Sequence, residues 1–399
     1  MALIIWQALW MRLSWISYIK GMPCSSRQLV VEFERKLNNG LIGGKPLNAL
    51  SRILTLAALS AAVPLALAQQ EIKLTISAGH APVFLWVKHV RESFIPAVNK
   101  ELSKTGKHKI VWTEAYGGTL AKIGSELETI EQGISDMGIV ATVFHPAKMP
   151  LQNVTYATPF GPTDPRVITR IMNDLHQKVP ALTKAWANHK QLYLTGFGTD
   201  DYGMVTNFPL AKFEDFNGRK LGSVPVALPW IKGSGAVGVV SNIPAYYNDI
   251  KSGVYSGALT FASGAVPAKL WEVAPNYVQV GFGAMYAGGL TINKARWDKL
   301  PKEVQSAMRV AAEEFSSAYH REQFVQSVRS LDTYRENRGQ ILQFAPAEKV
   351  KLAKAIENPT KAWAANAEKI GQPAREVLRA YMDAVRAEGI KFARDWDKE

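Results

Sequence analysis

Cysteine is all but missing from this chain: Cys24 is the one thiol in 399 residues. An intrachain disulfide and a cysteine-ligated metal site are therefore excluded. Histidine is sparse as well. The seven histidines are scattered, and the closest pairs, His80/His89 and His176/His189, miss the spacing of helical metal ligands. No nucleophile-elbow motif, Walker loop or His-Glu-x-x-His occurs, which removes the usual hydrolase, phosphate-loop and zinc-protease signatures. Internal repeats and low-complexity tracts are also lacking.

No apolar run reaches the length of a membrane span. The strongest, Ile53–Leu67, follows Arg52 and exits through Ala66-Leu67-Ala68. A positive residue, about 15 apolar residues and a small-x-small exit mark a secretory signal. Cleavage is expected near Ala68, with export to the periplasm. A lone arginine gives no twin-Arg signature, so ordinary export is expected. Residues 1–45 lie upstream of a complete signal and read as an overlong gene start. Without 1–68 the chain loses seven of its 47 basic and two of its 34 acidic residues. The remaining 40 and 32 leave a net charge of +8. These charges alternate along amphipathic stretches such as Arg375–Arg394 and do not cluster, so no nucleic-acid partner is expected.

What is present is a globular composition, 47% hydrophobic and 20% charged, long enough for about two domains. Lys73–Ser77, Lys109–Glu114 and Asp136–Val140 read as strands, with helices over Phe84–Leu102 (kinked at Pro96) and Ser125–Gln132 between them. This alternation predicts parallel pairing with right-handed crossovers. Helical periodicity follows over Pro165–His189, then a strand at Gln191–Gly196. The Gly- and Pro-rich stretch Lys212–Thr260 holds a strand near Arg219 and a short helix stopped by Gly253, then another strand. Gly281–Gly289 reads as loose, and Leu290–Asn293 as a strand returning to the first half.

Pro301 opens the longest periodic segment, with Val304, Met308, Ala311, Phe315, Tyr319, Val325, Val328 and Leu331 on one stripe and Gly339 at its end. At 1.5 Å per residue such a helix is roughly 57 Å long, more than one compact lobe. The fold expected is α/β, two-lobed and periplasmic-binding-protein-like, with this helix spanning both lobes. Lobe I takes 69–199 and 286–325, and lobe II takes 200–285 and 326–399. The hinge falls near Thr199 and Tyr286.

Strands in such sheets end at the ligand. Here they end at Gly, Pro and aromatic residues and not at charged catalytic ones. Tyr116, Phe144, Tyr202, Trp230 and Phe282 stand at the same edge, joined by Thr142, Thr260 and the loop residue His80. Gly233-Ser234-Gly235-Ala236-Val237-Gly238 fits G-x-G-x-x-G, but no strand precedes it and Asp249 comes too soon for a dinucleotide site. No cofactor or metal is expected.

Several segments in order resemble the solute-binding proteins of TRAP (tripartite ATP-independent periplasmic) transporters, of the DctP type. They are Tyr116-Gly117-Gly118-Thr119-Leu120, Glu126 through Gly133 to Asp136-Met137, and Pro150 with Thr158-Pro159-Phe160. Phe216-Asn217-Gly218-Arg219-Lys220-Leu221, Gly253-Val254-Tyr255-Ser256-Gly257, Trp271-Glu272-Val273, and Asn293 with Trp297–Pro301 continue the series. The resemblance implies capture of a small organic solute and delivery to an integral-membrane TRAP-type permease, by a monomer without catalysis. An exported enzyme on the same scaffold is the alternative. Family ligands are usually carboxylates gripped by an Arg after Lys-Ile. That place is Gly222 here, a second family Arg aligns with Tyr202, and a family Asp with Ser256. The resemblance therefore leaves backbone amides at Gly222, or stacking on Trp230, Tyr116 or Phe144, to hold an organic acid or small aromatic.

Overall fold

In this computed structural model residues 69–399 are described. The expected signal and the extension before it, residues 1–68, lie outside them. Among the described residues no helix is long and apolar enough to cross a membrane.

The chain begins with β1 (Gln70–Ser77), whose alternation buries one face. The helix that follows runs as Leu85–His89, a π-helical turn Val90–Phe94, and Ile95–Ser103. The expected kink at Pro96 takes this form because Pro96 has no N–H for the carbonyl of Glu92, and the backbone opens into a wider turn. β2 (His108–Ala115) pairs in parallel with β1 along its whole length. Helix Glu126–Glu131 leads to β3 (Met137–Ala141), buried throughout and parallel to β1. A strand covered on both faces reads as a continuous apolar run, and Met-Gly-Ile-Val-Ala is one.

The helical region after Pro165 is two helices, Pro165–Lys178 and Pro180–Asn188, because Pro180 restarts the chain at a first helical turn. β4 (Gln191–Thr199) then passes into β5 (Tyr202–Thr206), which belongs to a different sheet. That second sheet also holds β6 (Lys220–Ser223), β7 (Val237–Val240), β8 (Gly257–Phe261) and β9 (Asn276–Gln279). The stretch 233–238 is a turn that runs into the first two residues of β7, and a 3-10 turn, not a strand, comes directly ahead of it.

β10 (Met285–Asn293) returns to the first sheet, antiparallel between β3 and β4. The strand begins earlier than expected and takes in half of the stretch read as loose. Gly288 is needed there because a Cβ on it would stand 2.0 Å from the Val140 carbonyl oxygen. The glycines permit close strand approach, with a bulge between Tyr286 and Gly288, and do not break the strand. The two sheets have the orders β2-β1-β3-β10-β4 and, with β11 (Gln340–Gln343), β11-β9-β5-β8-β6-β7.

Four stretches of chain join the two lobes, the last being the short link from helix Pro346–Ala355 on the second to helix Pro359–Lys369 on the first. Two are the crossings β4–β5 and β9–β10, which brace each other: Tyr202 N–H donates to Gly283 O at 3.0 Å and Phe282 N–H to Tyr202 O at 3.1 Å. The third is helix Lys302–Glu336, 35 residues and about 52 Å long. Val304, Met308, Ala311, Phe315 and Tyr319 are buried as the stripe predicts. Val325 and Val328 are exposed, the latter by 56%, and Gln323, Ser330 and Tyr334 are buried in their place. The helix changes partner there. Its first half packs on the first lobe, and Tyr334 packs edge-on to Tyr277 of the second.

Helix Pro346–Ala355 packs on the second lobe, against the turn Phe213–Phe216. Residues 359–387, expected within lobe II, form helices Pro359–Lys369 and Ala374–Ala387 that pack on Pro165–Lys178 and Val154–Ala157 of the first lobe. Val377, Tyr381 and Val385 form the stripe that buries against Ile168, Met172 and Leu175. Periodicity reports that a helix has an apolar face, not which lobe receives it.

Asp200 sits in the first crossing, 3% exposed. It accepts from Ser263 Oγ at 2.5 Å and from Gln323 Nε2 at 2.7 Å. Burial outweighs these bonds and raises its pKa to about 6. The folded value lies above the unfolded one, so the folded protein binds more protons between them. The stability this group contributes is complete below the unfolded value and is lost as pH rises through 6. Asp200→Asn cannot titrate. Relative to the parent it should gain stability between about pH 4 and about pH 6 and keep that gain above, by no more than about 3 kcal/mol. A difference in urea midpoint that stays constant with pH would contradict this.

Candidate functional site

The carboxyl ends of β1 and β3 open onto one edge of the first sheet because the two strands are parallel. β1 continues into the loop Ala78–Pro82, and β3 into a 3-10 turn Thr142–Phe144. Facing them from the second lobe are the start of β5, the end of β8 and the first turn of helix Ile243–Lys251. Between the lobes lies an inner cavity of about 40 Å³. That exceeds the roughly 10–15 Å³ a single water requires and falls short of the roughly 150 Å³ known to take a benzene ring.

Its walls are mostly rings. Trp86, Phe144 and Phe197 come from the first lobe, and Tyr202, Tyr246 and Phe261 from the second. Trp86 stacks on Phe84 at 5.0 Å between centroids and meets Phe261 across the lobes at 6.1 Å. His80 stands edge-on to both Trp86 (5.1 Å) and Phe84 (5.5 Å). Some polar groups of the wall are already engaged. Tyr156 and Tyr202 share a hydroxyl–hydroxyl bond of 3.2 Å, and Tyr246 Oη donates to Leu259 O at 3.3 Å. Burial raises the pKa of all three tyrosines, so they remain hydroxyls.

Among the described residues, two fully buried polar side-chain atoms of the wall are not engaged. Thr260 is 1% exposed and Trp86 5%, both line the cavity, and neither Thr260 Oγ1 nor Trp86 Nε1 has a hydrogen-bond partner. Buried polar atoms are normally paired, and an unpaired one marks a place for another partner. Among the described residues the inner wall carries no Asp, Glu, Lys or Arg. Burial lowers the pKa of His80 to about 4, so its imidazole is neutral at pH 7.

His80 also lines a larger outer cleft of about 670 Å³. Gly79, Gly117, Gly118 and Lys122 form its first-lobe side; Pro244, Tyr247 and Pro267 form the other.

The residues expected at the site divide into two groups. His80, Phe144, Tyr202 and Thr260 line the inner cavity. Thr142, Trp230 and Phe282 stand behind its wall. Thr142 Oγ1 donates to Ala287 O at 3.2 Å, and Ala287 is part of the wall. Trp230 is sandwiched between Tyr156 (5.5 Å) and Phe282 (5.0 Å), and its Nε1 donates to Tyr156 O at 2.8 Å. Tyr116 lies next to Gly117 at the outer cleft, half-buried, its hydroxyl without a partner among the described residues. Gly222 faces Tyr255: a Cβ there would be 2.7 Å from the ring. The volume a side chain would need at that position is filled by an aromatic ring.

Sequence reasoning missed Trp86, Tyr156, Phe197, Tyr246 and Lys122. For Trp86 a signal existed. It falls off the helical stripe of Phe84, Val87, Val90 and Phe94, yet sits just beyond a strand's end. A large ring off the core stripe at that edge has the cleft to face.

A family profile described as bacterial extracellular solute-binding protein, family 7, of the DctP type, matches residues 88–366. Comparison with curated proteins by sequence finds no match. Among solved structures, a TRAP periplasmic solute-binding protein from Desulfovibrio salexigens is 18% identical with a TM-score of 0.67, covering 79% of this chain and 96% of that one. One from a Sulfitobacter species, with bound β-D-galacturonate, is 18% identical with a TM-score of 0.66, covering 78% and 100%. A marine-metagenome TRAP solute-binding protein specific for aromatic acids, with 3-hydroxybenzoate, is 17% identical with a TM-score of 0.69, covering 80% and 99%. At such identity the likeness establishes the two-lobed fold.

Proposed function

This chain belongs to the bacterial extracellular solute-binding proteins of family 7, and on that premise we propose that it captures a small organic acid or small aromatic solute between its lobes and hands it to a TRAP-type membrane permease. The observation that carries this reading is the interlobe cavity walled by rings, with Thr260 Oγ1 and Trp86 Nε1 unpaired within it. His80, Phe144, Tyr202 and Thr260 are the proposed solute contacts among the residues singled out by sequence. The structural relatives with bound galacturonate and 3-hydroxybenzoate support an organic acid as the class.

The inner cavity as it stands is smaller than a ring requires, so capture proceeds from a more open arrangement. Lobe I (69–199, 286–325, with the last two helices packed on it) and lobe II then close about the paired crossings near Thr199 and Tyr286. The solute leaves unchanged, since the wall offers donors and rings but no nucleophile held by a base. The protein acts as a periplasmic monomer after loss of its signal near Ala68.

A thermal-shift screen of organic acids, aromatics and polyols, followed by calorimetry, tests the reading. A true solute at a hundredfold excess over Kd should raise the unfolding free energy by about 2.7 kcal/mol. If every class leaves the melting temperature unmoved, the solute-capture reading falls.

A further inference from the structure

The inner cavity and the outer cleft meet at His80, so one elongated solute can occupy both. They differ in charge. The inner wall presents only neutral groups, and its two fully buried unpaired atoms, among the described residues, have defined roles. The indole N–H of Trp86 can only donate, and the Thr260 hydroxyl can donate or accept. An acceptor oxygen is the group both can bond. An ionised carboxylate would enter a small ring-walled space with no cation to offset its lost hydration, which is unfavourable. In the outer cleft Lys122 is the one charged side chain among the lining residues, exposed and, among the described residues, without an ion-pair partner.

Size points the same way. The inner space suits a single small substituent, and the outer cleft has room for a ring and a charged group. Between them stand His80, Phe84 and Phe144, with apolar faces against which a planar ring can pack.

From this arrangement, and resting on the solute-capture reading above, we infer that the solute is a planar-ring monocarboxylate bound with its uncharged oxygen substituent inward and its carboxylate outward. The inner oxygen, a hydroxyl or a carbonyl, lies between Trp86 Nε1 and Thr260 Oγ1. The carboxylate lies in the outer cleft at Lys122. Burial keeps His80 neutral, which leaves the passage between the two spaces uncharged.

Calorimetry with four probes on the full chain tests this: 4-hydroxybenzoate, 3-hydroxybenzoate, 4-hydroxybenzamide and terephthalate. A hydroxybenzoate should bind best. Terephthalate, which must carry a charge inward, should bind at least about tenfold more weakly. Lys122→Gln should weaken the hydroxybenzoate about fivefold, as for a solvent-exposed ion pair, and leave the amide unchanged. Thr260→Val should weaken acid and amide alike.

Tight terephthalate binding, or a Lys122→Gln effect equal for acid and amide, would overturn the orientation while solute capture stands. Binding of polyols or aliphatic acids with none of the four probes bound would overturn the planar-ring class. Failure of every organic probe on the parent chain would remove solute capture itself, and the inference with it.

Discussion

Trp230→Ala should lower the free energy of unfolding by about 3–5 kcal/mol, the range for truncating a fully buried aromatic side chain. The indole is 0% exposed. Its ring stacks on Tyr156 of the first lobe at 12° and on Phe282 at 26°, and meets Tyr202 edge-on at 5.3 Å. Removing it leaves a void among these rings and also strips the Tyr156 carbonyl of its donor. Trp230→Phe separates the two contributions. It keeps most of the packing and loses the hydrogen bond, so it should cost only about 1–2 kcal/mol. The effect extends to the solute because Tyr156 and Tyr202 both line the inner cavity and both lean on Trp230. Urea unfolding with and without bound solute gives both quantities. An alanine variant within about 1 kcal/mol of the parent would mean that this ring does not tie the lobes together.

Gly222→Arg should destabilise by about 3 kcal/mol, from overpacking and a disrupted hydrogen-bond cluster. A Cβ at position 222 would lie 2.7 Å from Tyr255 Cζ and 2.8 Å from its Cε2. The ring cannot easily give way, because its hydroxyl bonds Asp249 Oδ2 and Ser241 Oγ, each at 2.9 Å. Gly222 itself is in β6, paired in register with Val239 on one side and Ala258 on the other, so the backbone is held too. Tyr255→Ala should relieve the clash. The double variant is then expected to be more stable than the sum of the singles by about 1–3 kcal/mol. Additive effects would show that the two positions do not compete for the same space. This position is where the family resemblance places a carboxylate-gripping Arg. An aromatic ring fills that volume here, in keeping with an inner wall of neutral groups.

Much of the architecture was legible from residues. The parallel βαβ start, the strand at Gln191, the helix stopped by Gly253 and the lobe-spanning helix all follow from local periodicity and punctuation, which are local properties. The differences arise where an element's meaning depends on a neighbour. Gly288 and Gly289 read as a break, but β3 and β4 approach so closely that only glycine fits in the strand between them. Val325 and Val328 continue a stripe on paper and face solvent in the fold, because the long helix passes from one lobe to the other beneath them. Helix Ala374–Ala387 declares its apolar face plainly, and nothing local says that Ile168 and Met172 receive it.

The site was legible in part for the same reason. Strand ends point to an edge, and His80, Phe144, Tyr202 and Thr260 lie on the cavity wall at that edge. Trp230 and Phe282 share the edge by sequence but turn away to stack on each other. Lys122 comes from an irregular loop held to the first lobe by Gly117 N–H to His80 O and Gly118 N–H to Ala78 O, and no periodic signal marks it.

The first sheet takes β10 from residues 285–293, and its helical cover takes Ala374–Ala387 from near the chain's end. Those partners are far apart in sequence, and closing long loops is what slows folding. A nascent chain therefore lacks the central partner of β3 and β4 until three-quarters of it has been made, and the packed outer layer until almost all of it has. Synthesis of the strands of the first sheet and completion of that sheet are thereby separated in time.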